Sequence, residues 1–218
     1  AFPALAIKDC LTYTNTRLEE ISAIVYYEKP FLKLERIIKT YLNVAPKGLF
    51  SFIQAMHVWT SEKLFIKQNI YDELKKIDNA FNKKQTALLF TEHHLSHTAS
   101  AFYPSPFEAA AILTIDGVGE YTTTTLAHGK GNKIITLMEI YFPHSIGLLY
   151  SAVTYFLGFK VNSDEYKVMG LAAYGNAENN ETRKFIKIIE DNLIHLCDNG
   201  SYRLNLKHFA FTHSLRMV

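Results

Sequence analysis

Cysteine is almost missing from this chain: 218 residues contain two, Cys10 and Cys197, far apart and without His or Cys neighbours at ligand spacing. That scarcity excludes a disulfide framework and a cysteine-built metal knuckle, and it fits a reducing, cytoplasmic setting. Charge bias is missing too. Lys and Arg total 23 against 21 Asp and Glu, and no basic run with interleaved aromatics occurs, so nothing points to nucleic acid. Long apolar runs are absent; the longest useful one, Ala109 to Ile115, is far too short to span a bilayer. No charged n-region or long apolar segment opens the chain, so no secretory signal is expected. An initiator methionine and a terminating pattern are also lacking, and the expectation is a piece of a longer protein. Internal repeats and low-complexity linkers do not occur. Oligomeric state is not legible.

What is present is core material. The apolar share is 48% and the aromatic share 13%, too high for disorder. Periodicity predicts helices over 3–13 and 30–42, a break at Pro46-Lys47-Gly48, and one long helix or two over 49–77. Strands are expected over Ser22–Tyr27 (a buried one) and 86–90. A histidine-bearing helix follows and ends near Tyr103-Pro104. Three strands come next, over 109–116, 121–128 and 133–142, with Gly129-Lys130-Gly131-Asn132 as the second turn. Helices over 145–157, 166–173 and 181–196 and a strand over 202–206 complete the pattern. Gly158 can close the first of these helices. Tyr26, Tyr27, Phe31, Phe50 and Trp59 read as core aromatics. Alternating strands and helices with a hairpin run in the middle imply an α/β domain around one mixed sheet with flanking helices.

The chemistry concentrates between Thr91 and Glu120. His93 and His97 stand at i and i+4, so their imidazoles project from one helix face and can share a metal ion. Neutral imidazoles suit iron or zinc. A zinc-protease reading is weak, because such helices need Glu directly after the first histidine as general base and this chain has His94. The bland alternative is a pair of histidines satisfied by water or backbone. Nineteen residues after His97 comes Asp116-Gly117-Val118-Gly119. It follows an apolar strand, so it reads as a tight turn between strands. It also reads as a phosphate-cradling loop whose carboxylate reaches a metal. Both readings can hold at once. The simplest joint reading is a site for a metal ion and a phosphorylated ligand.

Two further segments carry open alternatives. Asn162-Ser163-Asp164 precedes a helix, and spacing alone favours a capped helix with solvated Glu165 and Lys167. The functional alternative puts Glu165 on ribose hydroxyls, with Lys167 and Gly170 near a nucleotide. His144, in Phe142-Pro143-His144-Ser145, is either catalytic or an anchor of its turn.

Several connected segments resemble the O-carbamoyltransferase family, which includes nodulation-protein and antibiotic-tailoring carbamoyltransferases. They are EHHLSHTASAFYPSPF, ILTIDGVGEYTTT, FPHSIGLLYSAVTYFLGFKVNS and EYKVMGLAAYG, with YYEKPFLKLERIIKTYL and the stretch around APKGLFSFIQAM also similar. The resemblance covers nearly everything up to about Asn176. It implies an actin-like ATPase fold of the ribonuclease H-like, hexokinase/actin superfamily, here incomplete. It implies a carbamoyl group passed from carbamoyl phosphate, with ATP (and Mg) as co-substrate and through a carbamoyl-adenylate, to a hydroxyl of a small-molecule acceptor. His93, His97 and Asp116 would ligate Fe(II) or another divalent metal. Gly117, Val118 and Gly119 would lie along the phosphates, and Glu165, with Lys167 and Gly170 nearby, would hold the nucleotide.

The family's upstream strand pair, which carries a proposed catalytic histidine, does not match any part of this chain. The second half of the fold and the C-terminal domain are likewise unmatched, so residues 1–218 read as part of the N-terminal domain, inactive alone. Asp164 stands where the family often has Gly, and Ala173 where it often has Pro. Two other functions share the scaffold. One is threonylcarbamoyl transfer to tRNA adenosine, against which the FYPSPF and KVMGLAAYG wording and the absent basic face speak. The other is a non-catalytic nucleotide-binding module, against which the intact His93, His97 and Asp116 set speaks.

Overall fold

In the computed structural model, which describes residues 2–218, the chain opens with helix α1 (Ala4–Tyr13) and strand β1 (Ala23–Tyr26). Helix α2 (Pro30–Val44) begins with Pro30 in its first turn, where a missing N–H costs nothing. Gly48, at φ +81°, turns the chain into α3 (Leu49–Glu62), and α4 (Ile66–Ile77) leads to β2 (Ala87–Phe90). The stretch over 49–77 is therefore two helices. β1 and β2 pair in parallel, Ala23 opposite Ala87 through Tyr26 opposite Phe90. Parallel pairing demands a long crossover, and α2, α3 and α4 supply it. Ile70 and Leu74 of α4 pack with Leu18 and Phe81 into a core that also receives Ile24 and Leu88 from the two strands.

The second unit is an antiparallel meander of β3 (Ala109–Ile115), β4 (Thr122–Lys130) and β5 (Lys133–Tyr141). Helix α5 (His93–Phe102) lies on its inner face. Phe102, Ile112 and Ala127 form the core between them. Gly129 is required here: a Cβ would sit 2.8 Å from the Phe102 ring. After the meander, Ser145 caps α6 (Ile146–Phe156) by accepting the Leu148 N–H. Gly158, at φ +83°, follows α6 as its sequence position suggests. Helix α7 (Glu165–Ala172) and helix α8 (Asn180–Asn192) come next, and β6 (Ile194–Leu196) pairs antiparallel with β7 (Tyr202–Leu204). Ala152 of α6 packs with Leu204, Phe209 and Met217.

Four expectations change. The strands form three separate sheets among the described residues, not one mixed sheet. Periodicity reports that strands exist, but not which edges pair. The helix expected to run to Leu196 stops at Asn192, because Gly200, at φ +80°, folds Ile194–Leu196 back as a hairpin. Of the supposed core aromatics Trp59 is buried, at 4% exposure, and Tyr26 packs half-buried against the core of Leu18, Ile70, Leu74 and Phe81, while Phe31 and Phe50 stand 67% and 74% exposed. The β1 strand is likewise only half-buried, alternating exposed and intermediate positions. No helix among the described residues is long and apolar enough to cross a membrane.

Candidate metal centre

Helix α5 starts with His93, so His93 and His97 lie one turn apart on the same face. His94 points the other way, into the sheet, where its Nδ1 meets Thr125 Oγ1 at 2.8 Å. The loop after β3 brings Asp116 opposite the first pair. His93 Nε2 lies 2.8 Å from Asp116 Oδ2 and 3.0 Å from His97 Nε2. All three donor atoms fall within 4.8 Å of one another. Two metal–ligand bonds of about 2.1 Å meeting at a right angle would put their donor atoms about 3 Å apart. The observed separations match such an edge, so the residues fit a divalent ion. Two imidazoles and one carboxylate on one side leave the other positions open, toward the exposed face at His97.

The surroundings fix this geometry. His93 Nδ1 is buried with no hydrogen-bond partner, so packing orients the ring. Tyr27 meets it edge-on at 5.7 Å, and Gly119 leaves room for it: a Cβ there would come within 3.0 Å of the His93 Cβ. The Gly117 N–H donates to the Asp116 carboxylate at 2.6 Å, and the Gly119 N–H donates to the Thr122 carbonyl at 3.1 Å. The loop is thus the closed turn of the β3–β4 hairpin as well as a carrier of Asp116. The hydrogen bond with His93 holds the Asp116 carboxyl down at about 2. The same bond raises His93 above its ordinary value against the opposing effect of burial. Burial lowers His94.

Two residues that sequence reasoning missed build the frame. Glu120, buried at 7% exposure, accepts the Lys29 N–H at 2.7 Å and the His93 N–H at 3.0 Å. It ties the entrance of α2 to the first residue of the histidine helix, where a negative charge also suits the helix dipole. Gly147 lets α6 press on the loop: a Cβ would sit 2.5 Å from the Asp116 carbonyl oxygen and 2.6 Å from the Gly117 nitrogen. Ser145 reinforces that contact, its hydroxyl lying 2.7 Å from the Gly117 carbonyl oxygen. Only the position of Glu120 beside the loop, and a glycine inside an apolar helix, could have hinted at these roles.

The other candidate residues have local partners. Glu165 begins α7, and its carboxylate accepts the Asn162 N–H at 2.8 Å and the Ser151 hydroxyl at 3.1 Å. Lys167 pairs with Asp164 at 3.0 Å. Gly170 has nothing within 4 Å of a would-be Cβ, so its surface is open. His144 anchors its turn: its Nδ1 accepts the Leu204 N–H at 3.1 Å, and its carbonyl accepts the Thr123 hydroxyl at 2.5 Å.

The family model described as carbamoyltransferase N-terminus matches residues 2–218. The chain belongs to that family. It is 49% identical over its whole length to an uncharacterized protein, sll1178, of Synechocystis, of which it covers 34%. It is 32% identical over 96% of its length to Nodulation protein NolNO of Sinorhizobium fredii, covering 28% of that protein. Nodulation protein NolO of Bradyrhizobium diazoefficiens is 38% identical over 52% of the chain, which covers 20% of it. The chain therefore spans about a third or less of these relatives.

Proposed function

We propose that the chain is part of an enzyme that moves a carbamoyl group from carbamoyl phosphate to a hydroxyl of a small-molecule acceptor, with ATP as co-substrate and a carbamoyl-adenylate between. The observation that carries this reading is the convergence of His93, His97 and Asp116 beside the glycine loop, in a chain matched end to end by a carbamoyltransferase family model. The proposal includes an actin-like ATPase fold, which a glycine turn between the first two strands of an antiparallel meander supports.

The chemistry divides into balanced steps. Carbamoyl phosphate loses phosphate to water and leaves carbamate. A carbamate oxygen bonds to the α-phosphorus of ATP as the bond to pyrophosphate breaks. The acceptor hydroxyl then attacks the carbamoyl carbon, its proton is removed, and AMP leaves. A divalent ion at the triad would neutralise charge developing on phosphate oxygens. His93 and His97 would hold it, and Asp116 would supply the compensating negative charge. Gly117, Val118 and Gly119 would lie along the phosphates, Gly117 being the position with the most room, since only the Leu148 Cδ2 comes within 4.0 Å of a would-be Cβ there. Glu120 keeps the N-terminus of α5 in place, so that both imidazoles are set before substrate arrives. Glu165 and Lys167 would contact the nucleotide after exchanging their present local partners.

The test is carbamoyl-phosphate-dependent pyrophosphate release from ATP by the intact protein, with and without Fe(II). Release that requires both carbamoyl phosphate and metal is the expected result. A folded, metal-loaded protein that releases none would refute the reading in favour of a non-catalytic nucleotide-binding module. Transfer of a threonylcarbamoyl group from its adenylate to tRNA adenosine, with release of AMP, would refute it in favour of threonylcarbamoyl transfer. An Asp116→Ala variant should lose both metal and release.

A further inference from the structure

Arg36 lies on the face of α2 turned toward α6 and the glycine loop. Its Nε is fully buried and has no hydrogen-bond partner. Its guanidinium rests over the Phe142 ring, 5.1 Å from the centroid. No carboxylate pairs with it among the described residues, and Glu120 acts on it only at long range. Burial alone brings the guanidinium down to about 10. The residue as a whole is half-buried, its guanidinium carries five donors in a rigid fork, and a partly desolvated cation without an anion is costly. Such a group either rests on its aromatic neighbour with part of its fork in water or belongs to a site that expects a negative ligand.

The space in front of it favours the second. Arg36 lines a cavity of about 290 Å³ whose other walls include Thr40, which offers a hydroxyl, Ser51, whose hydroxyl donates to the Gly48 carbonyl, and Phe142, Val118 and Leu148. Val118 belongs to the glycine loop itself, and the Leu148 Cδ2 lies 4.0 Å from a would-be Cβ on Gly117. The cavity thus backs onto the loop that carries Asp116. Its volume lies at the lower end of the range for small-molecule pockets, and its walls mix one cation and a few hydroxyls with apolar surface. That composition suits an anionic head on an apolar body better than a hydrated inorganic ion.

We propose that this cavity binds a small organic anion, a phosphate ester or a carboxylate, whose charged oxygens are gripped by the Arg36 fork while its body packs on Phe142 and Leu148. Phosphate and carboxylate both match a guanidinium bidentately. The proposal stands apart from the carbamoyl-transfer reading, since it needs neither metal nor ATP.

Calorimetric titration of the intact, metal-free protein with phenyl phosphate, benzoate and inorganic phosphate tests it. The expected result is saturable binding of phenyl phosphate or benzoate, at least tenfold tighter than inorganic phosphate. Arg36→Met, which keeps the stem and removes the charge, should weaken that binding at least tenfold. A preference for phenyl phosphate identifies a phosphate ester as the natural head group, and a preference for benzoate identifies a carboxylate. Phenylglyoxal modification of the unmutated protein, mapped by mass spectrometry, gives a second readout that does not depend on how the variant folds. Bound phenyl phosphate or benzoate should shield Arg36 from the reagent. Absence of saturable binding, equal affinity for inorganic phosphate, or modification of Arg36 at an unchanged rate would each overturn the proposal. Because metal and ATP are omitted, none of these outcomes bears on pyrophosphate release.

Discussion

Replacing Glu120 by Gln should loosen the metal centre through a residue that offers the ion no donor atom of its own. Glu120 is buried, and its two oxygens take the backbone N–H groups of Lys29 and His93 at 2.7 and 3.0 Å. Glutamine keeps one carbonyl oxygen but turns an NH2 group toward the other N–H. One hydrogen bond to a charged acceptor is then lost, which costs roughly 1.5–3 kcal/mol. Removing the negative charge from the first turn of α5 costs roughly 0.3–1 kcal/mol more. The expected loss is therefore roughly 2–4 kcal/mol for the unit that holds α2 and α5 together. Urea unfolding followed by circular dichroism reads the stability. Amide hydrogen exchange at Lys29 and His93 reads the two bonds directly, and one or both amides should exchange faster. Metal affinity should fall as well, since His93 loses the constraint at its own backbone nitrogen. A stability loss below about 0.5 kcal/mol with unchanged exchange at both amides would refute the account, because a buried carboxylate with two such partners cannot be that dispensable.

Gly119→Ala should push the His93 ring aside, since the new Cβ would lie 3.0 Å from the His93 Cβ. Metal affinity should drop about tenfold or more with little change in far-UV circular dichroism, consistent with the sensitivity of metal sites to their supporting shell. Gly147→Ala meets backbone at 2.5 Å, which cannot rotate away; overpacking of this kind costs roughly 1–3 kcal/mol, read as a lower urea midpoint. The His93–Asp116 pair gives a pH signature in metal-free protein. Asp116 is lowered from 3.8 to about 2, so its contribution is present above about pH 4 and is lost as pH falls toward 2. His93 is raised above 6.5, so its contribution is full below that value and is lost as pH rises through the raised value. Melting temperature against pH should show this window, and Asp116→Asn should flatten it; metal affinity should rise with pH instead, because the ion competes with the proton on His93.

The sequence alone established the local chemistry. Histidines at i and i+4 share a helix face because 3.6 residues make a turn, so His93 and His97 could be paired before any coordinates existed. Asp-Gly-Val-Gly after an apolar strand announced its hairpin for the same kind of reason: glycine marks turns through backbone geometry that needs no distant partner. The family resemblance rested on such contiguous words. Tertiary structure decided whatever depends on pairing across distance. It divided the strands into three sheets, since periodicity names a buried face but not the neighbouring edge. It exposed Phe31 and Phe50, because apolar character does not say whether another element arrives to cover it. It gave Glu120 a partner 91 residues away and pressed Gly147 against Asp116. It left Arg36 with a cavity in place of an anion. A hydrogen bond or a close approach between remote segments leaves no period in the chain, so only the folded backbone brings those groups within reach of each other.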